Sequence, residues 1–247
     1  MSAYDDIVLS DTPVLYLPLG GREKETSLAG HLTAAYHGTP GTGPLPNGDT
    51  ASVFDGTPAE YVEVPDDDSL SVPTTGILTI EAWMRPDSLT PPNVESSGYV
   101  HWLGKITYGG GDNREWAARM YSLDNTEGRA NRISGYAFNR KGGEGVGSYF
   151  QDPVEVGEWI YYVLVINTVV RDAPYPMGYT KIFKNGDQRD QDSLATLTIE
   201  PANTTSPMRI ATAGLRSFFP GGIGKVAVYA YELPGDRIAA HYNAMTT

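Results

Sequence analysis

Residues 61–86, YVEVPDDDSLSVPTTGILTIEAWMRP, constrain the fold more than any other stretch. Tyr61-Val62-Glu63-Val64 alternates apolar and polar residues, the period of a half-buried strand. A proline-bounded acidic crossing leads to a second run, 77–84. There Leu78, Ile80, Ala82 and Met84 share one face and Thr79, Glu81 and Trp83 the other, because side chains alternate along a strand. A full apolar row on one side, with a carboxylate beside an indole on the other, suits a two-sheet sandwich. Glu81 has no second carboxylate on its face. It is expected to be partly exposed and paired with a neighbouring Arg or Lys. Asp66, Asp67 and Asp68 point in different directions, so they are expected to form a solvated acidic turn and not a cation site.

Taken in order, the chain predicts one short helical turn over 4–11, then a first strand over 14–19, at an edge because of Pro18. Residues 20–50 are polar and turn-rich and are expected to be loop, with one short strand at 32–36. Val53-Phe54 runs into the Asp55-Gly56 turn signal. Beyond Pro86, strands are expected at 99–106, 115–122, 133–139 and 147–150. WIYYVLVIN at 159–167 is the most hydrophobic strand and is expected to be central. Residues 181–184 meet Asn185-Gly186, the strongest hairpin signal in the chain. Strands at 209–211 and 223–231 follow. A short C-terminal helix closes the chain, with Asp236 as N-cap and Ile238 and Tyr242 on one face. About a dozen strands at the roughly 8–12-residue spacing of a sandwich, with no linker or repeat, make one domain over 1–247, of which 1–12 is an N-terminal arm.

Composition excludes several classes. With 28 Gly and 18 Pro in 247 residues, turns are frequent and long helices have no room. The formal charge of −12 opposes a nucleic-acid partner, whose binding rests on clustered Lys and Arg. With no cysteine, neither a disulfide framework nor a Cys metal site can form. The N-terminus has no basic region followed by a continuous apolar run, so no signal peptide is expected, and no stretch approaches a membrane span. The chain is expected to be made in the cytoplasm of its producer and to reach any cell surface by another route.

VFDGTPAEYVEVPDDDSLSV, LTIEAWMRP, VGEWIYYVLVIN, KIFKNG and GGIGKVAVYAYELPGDRIAAHY together resemble the laminin-G-like domains of the concanavalin-A-like lectin and glucanase superfamily. They cover roughly residues 13–242 in the family's order. The resemblance implies an all-β jelly-roll β-sandwich of two antiparallel sheets. That fold hosts lectins, adhesins, hydrolases, lyases and spacers. YDDIVLSDTPVLYLPL is similar to the opening of many such domains in actinobacteriophage minor tail and other virion-surface proteins. It implies a free-standing virion protein, released by lysis. Many relatives hold a calcium ion through acidic residues whose positions here read Gly20-Gly21 and Gly224, so that site is not carried over and no metal or cofactor is expected.

Catalytic chemistry finds few residues. Glycoside hydrolysis needs two carboxylates about 5–9.5 Å apart, and the superfamily's Glu-x-Asp-x-x-Glu strand pattern is missing. Lyases on similar sandwiches use Gln-x-His and Arg-rich strands, also missing; KIFKNG is a hairpin signal. His31, His37, His101 and His241 do not share a metal spacing. No catalytic residue is therefore assigned.

Recognition chemistry is richest at 102–121. Sugar sites combine aromatic platforms with amides, carboxylates and Arg, because pyranose C–H faces stack while hydroxyls need fixed partners. The candidate carbohydrate-binding residues are Trp102, Tyr108, Asp112, Asn113, Arg114, Trp116, Arg119 and Tyr121. Arg119 and Tyr121 share a strand parity and Trp116 has the opposite one, so all eight line one surface only if a bulge intervenes. Arg132, Tyr136 and Phe138 would extend the patch.

The resulting expectation is a non-enzymatic phage virion protein of the minor-tail or tail-tip type, adhering to host-surface glycans or acting as a spacer. Its partners would be other virion proteins, in a homo-oligomer, with a trimer among the options. The alternatives are a capsid decoration protein and a cell-wall polysaccharide hydrolase or lyase.

Overall fold

A computed structural model describes residues 1–21, 24–109 and 113–247. After helix α1 (Ala3–Ser10) come β1 (Leu15–Leu17), β2 (Lys24–Thr26), β3 (Thr33–His37), β4 (Gly41–Pro44), β5 (Thr50–Asp55) and β6 (Tyr61–Val64). The middle of the chain forms β7 (Ile77–Pro86), β8 (Tyr99–Thr107), β9 (Asn113–Tyr121), β10 (Ile133–Ala137), β11 (Val146–Tyr149) and β12 (Ile160–Asn167). It closes with β13 (Tyr179–Lys184), β14 (Asp187–Ser193), β15 (Met208–Ile210), β16 (Pro220–Tyr229) and helix α2 (Gly235–Thr246).

These strands make the expected all-β jelly-roll sandwich of two antiparallel sheets. The first sheet runs β14-β13-β12-β7-β16-β5-β4, with β1 beside β16; the second runs β11-β10-β9-β8-β15-β6-β3-β2. Strand β7 lies inside the first sheet between β12 and β16, in register Ile80↔Leu164 and Ala82↔Tyr162. Its Leu78, Ile80, Ala82 and Met84 join the core between the sheets, and Trp83 joins a second core on the opposite face. The sequence alternation therefore maps onto two different apolar interiors. Helices α1 and α2 roof the second one through Tyr4, Val8, Ile238 and Met245. Each such large buried side chain contributes about 1.5–3 kcal/mol.

Asn185 and Gly186 take φ of +55° and +89°, the paired left-handed turn that joins β13 to β14 tightly.

Three expectations need correction. Residues 20–50 are not loop with a single short strand: β2 and β4 flank β3 and β5 at the sheet edges. Strand β4 reads GTGP and is largely exposed, so it carries no apolar alternation to detect. The N-cap of α2 is Pro234, not Asp236, which falls in the first turn where its charge suits the helix dipole. Residues 1–12 form a helix docked on the first sheet, with Tyr4 and Val8 fully buried, so they do not extend as an arm.

Candidate functional site

The outer face of the second sheet, over β8, β9 and β10, carries the predicted patch. Parity divides its residues. Trp102 and Trp116 are fully buried between the sheets, Trp102 edge-on to Tyr162 at 4.9 Å and Trp116 donating Nε1–H to the Leu70 carbonyl at 3.0 Å. Neither ring can stack on a sugar, which corrects that part of the expectation. Register breaks at His101/Leu103 and Lys105/Ile106 do occur, but they leave both indoles on the core side.

Arg119 and Tyr121 face outward. Tyr121 is itself buried within an outer-face cluster, its hydroxyl 2.7 Å from that of Tyr136. Tyr136 in turn stacks on Phe138, and both rings are buried, so neither extends an accessible patch. Asn113 is half-buried, its Oδ1 accepting from Arg140. Asp112 lies outside the described residues.

A polar chain runs beneath this face. Arg119 Nε donates to His101 Nε2 at 3.2 Å, so that nitrogen carries no proton and Nδ1 must carry the single one. Nδ1 donates to Glu95 Oε1 at 3.1 Å. Burial, with Arg119 nearby, lowers the His101 pKa, in agreement with a neutral ring. Glu95 also accepts from Ser217 Oγ at 2.6 Å and from the Tyr108 hydroxyl at 2.8 Å. Burial opposes its charge, but these donors hold its pKa below the usual carboxylate range. The Arg119 guanidinium packs over Tyr99 at 3.8 Å and Tyr136 at 4.3 Å. Burial raises the Tyr121 pKa, yet Arg119, the Tyr136 hydroxyl and Arg129 together outweigh it and the net shift is downward; Tyr136 is pushed up to about 12, chiefly by burial.

Above this floor opens a pocket of about 400 Å³ whose lining includes Glu95, Ser96, Tyr99, Tyr108, Arg114 and Arg216. The Tyr108 ring has Arg114 at 4.7 Å and Arg216 at 3.9 Å. A Cβ on Gly214 would come within 2.1 Å of that ring, so glycine there makes room for it. Tyr108 and Arg114 belong to the predicted patch. Glu95, Tyr99 and Arg216 do not, and no local pattern marks them: Glu95 sits in the loop before β8 and Arg216 in the loop before β16.

Two further polar clusters are structural. Glu81 is fully buried, not partly exposed, and no Arg or Lys pairs with it among the described residues. It accepts hydrogen bonds from the hydroxyls of Tyr161 and, at 3.0 Å, Tyr229, and from His241 Nδ1 at 2.9 Å. Beside Gly224, the Lys225 ammonium lies 2.7 Å from Asp5 Oδ1 and 2.8 Å from Asp49 Oδ2. Among the described residues no group of three or more His, Asp or Glu is arranged to hold a metal ion. In the acidic crossing, Asp66 and Asp68 are exposed, though Asp66 reaches Lys105 at 2.6 Å and Asp67 caps the following turn.

Solved structures with this fold include the binding domain of Paraclostridial Mosquitocidal Protein 1, with a TM-score of 0.70 at 13% identity over 96% of this chain and 53% of that one. The binding domain of botulinum neurotoxin DC is similar in two complexes. With SialylT the TM-score is 0.68 at 13% identity, over 96% of this chain and 52% of that one. With rat synaptotagmin II it is 0.65 at 14% identity, over 95% and 52%. The chain thus spans about half the length of each of these structures. No curated protein matches it in sequence. The profile of the laminin-G-like family described as the concanavalin A-like lectin/glucanases superfamily matches residues 55–239, and the chain belongs to that family.

Proposed function

We propose that this chain is a non-enzymatic glycan-binding domain carried on a phage virion, of the minor-tail or tail-tip type, where it adheres to host-surface glycans. The observation that carries the glycan reading is the pocket: Tyr99 and Tyr108 stand beside Arg114 and Arg216 over a floor fixed by the hydrogen bonds of Glu95, His101 and Arg119. Aromatic faces with rigid polar donors are what a pyranose needs. The same geometry speaks against catalysis. His101 and Glu95 have the look of an acid–base pair, but the His101 Nε2 lone pair is occupied by Arg119 and Glu95 is engaged by three donors. A general base must reach the proton that it takes. Glu81 is sealed beneath the two helices.

The virion placement rests on the likeness of YDDIVLSDTPVLYLPL to phage virion openings. In this protein Tyr4, Val8 and Tyr16 are spent inside the second core, and Asp11 grips Arg237 and His241. The stretch therefore helps to close the fold. The test has three readouts on the purified protein and the particle. Binding to host cell-wall glycans, no release of soluble fragments from them, and antibody labelling at the tail are expected. Released fragments would replace the reading with an enzyme; labelling on the head would replace it with capsid decoration.

A further inference from the structure

The whole chain carries −12, yet the pocket lining includes the exposed guanidinium of Arg216. Glu95 and Arg119 offset one another through the neutral His101 ring. At the mouth the Arg216 guanidinium lies against the Tyr108 ring, which Arg114 also approaches. Arg216 is exposed and has no carboxylate within ion-pair distance among the described residues. Its stacking on Tyr108 restricts its orientation, and Tyr108 is itself pinned by Glu95 and by the close approach of Gly214. A guanidinium held flat on a ring keeps its N–H edge available for a planar or tetrahedral oxyanion.

We propose that this pocket receives an anionic sugar residue, whose carboxylate or phosphate is taken by Arg216 while Tyr99 and Tyr108 border the ring. The inference rests on the glycan-binding reading and names its substrate class. A neutral hexose would use the aromatic walls and leave the Arg216 fork to water. An acidic one gains a charge-assisted contact, which corresponds to about tenfold to a hundredfold in affinity.

The full chain, labelled with ¹⁵N, is titrated with sodium glucuronate, glucose 6-phosphate, glucose and inorganic phosphate. Resonances of residues 94–99 and 108 should shift with the two acidic sugars at concentrations about tenfold or more below those needed for glucose. Added salt should weaken that preference. The stronger of the two acids identifies the anion. Arg216→Ala should abolish the preference without lowering the melting temperature, since Arg216 is exposed and supports no hydrogen bond among the described residues, and Arg216→Lys should restore part of it. Equal affinity for glucose and glucuronate would overturn the anionic preference while leaving glycan binding intact. Inorganic phosphate matching the sugar acids would reduce the pocket to a general anion site and overturn the sugar assignment. Failure of every sugar, together with failure to bind host glycans, would remove the underlying reading as well.

Discussion

Replacing His241 with leucine removes the cation that holds α2 to the first sheet. The ring lies between two carboxylates, with Nδ1 2.9 Å from Glu81 Oε2 and Nε2 2.7 Å from Asp11 Oδ2. Both nitrogens can donate only in the imidazolium form. Burial opposes that charge, but Glu81 and Asp11 outweigh it and the His241 pKa is raised. The other groups facing the ring are the hydroxyls of Tyr161, Tyr229 and Tyr4 around Glu81, and Arg237, which also grips Asp11 at 2.7 Å. In the variant Asp11 keeps Arg237, whereas Glu81 keeps only neutral hydroxyls in a fully buried site. Breaking a buried pair of this kind costs about 3–5 kcal/mol. For a domain of this size each kcal/mol moves Tm by about 2–4 °C, so His241→Leu should melt about 6–20 °C lower near pH 6. Because the folded pKa exceeds that of an unfolded His, about 6.5, the folded state binds more proton between the two values. The His241 contribution is therefore fully present below pH about 6.5 and is lost as pH rises through the folded value. Thermal melts of both proteins followed by circular dichroism from pH 5.5 to 9 should show the gap narrowing upward. His101, whose shift has the opposite sign, is common to both proteins and cancels. An unchanged Tm at pH 6, or a gap that widens with pH, would refute the reasoning.

Lys105 is fully buried between Glu115 and Asp66, each 2.6 Å away, so Lys105→Met should cost about 3–5 kcal/mol in urea unfolding. Adding Glu115→Leu should recover much of that loss, because both buried charges then leave together. Gly214→Ala should push Tyr108 out of place and weaken glycan binding, with an overpacking cost of about 1–3 kcal/mol in the same unfolding assay.

Much of the fold is legible along the chain. The rows Leu78-Ile80-Ala82-Met84 and WIYYVLVIN state which faces are apolar, and Asn185-Gly186 demands a tight hairpin because few other pairs accept two positive φ values. Strands β2 and β4 escape notice because an exposed edge strand needs only backbone partners, and those lie on other strands. At the site, strand parity already separates Arg119 and Tyr121 from Trp116. It cannot say which side faces solvent, since in a sandwich with a helical roof both faces of a strand can be interiors.

The identity of Glu81's partners shows the remaining boundary. The sequence alone determines that Glu81 points away from the apolar row, and that no second acid stands with it on the strand. Only the tertiary structure brings Tyr4, Tyr161, Tyr229 and His241 around it, from both ends and the middle of the chain. Likewise Arg114 and Tyr108 are visible as candidate residues, but their meeting with Glu95 and Arg216 is decided by loops that cross the sheet. Local pattern fixes which way a side chain points, because that follows from backbone periodicity. What it meets there depends on contacts between residues from about a dozen to more than 150 positions apart, such as Glu95 with Tyr108 and Glu81 with His241, and no local periodicity encodes those.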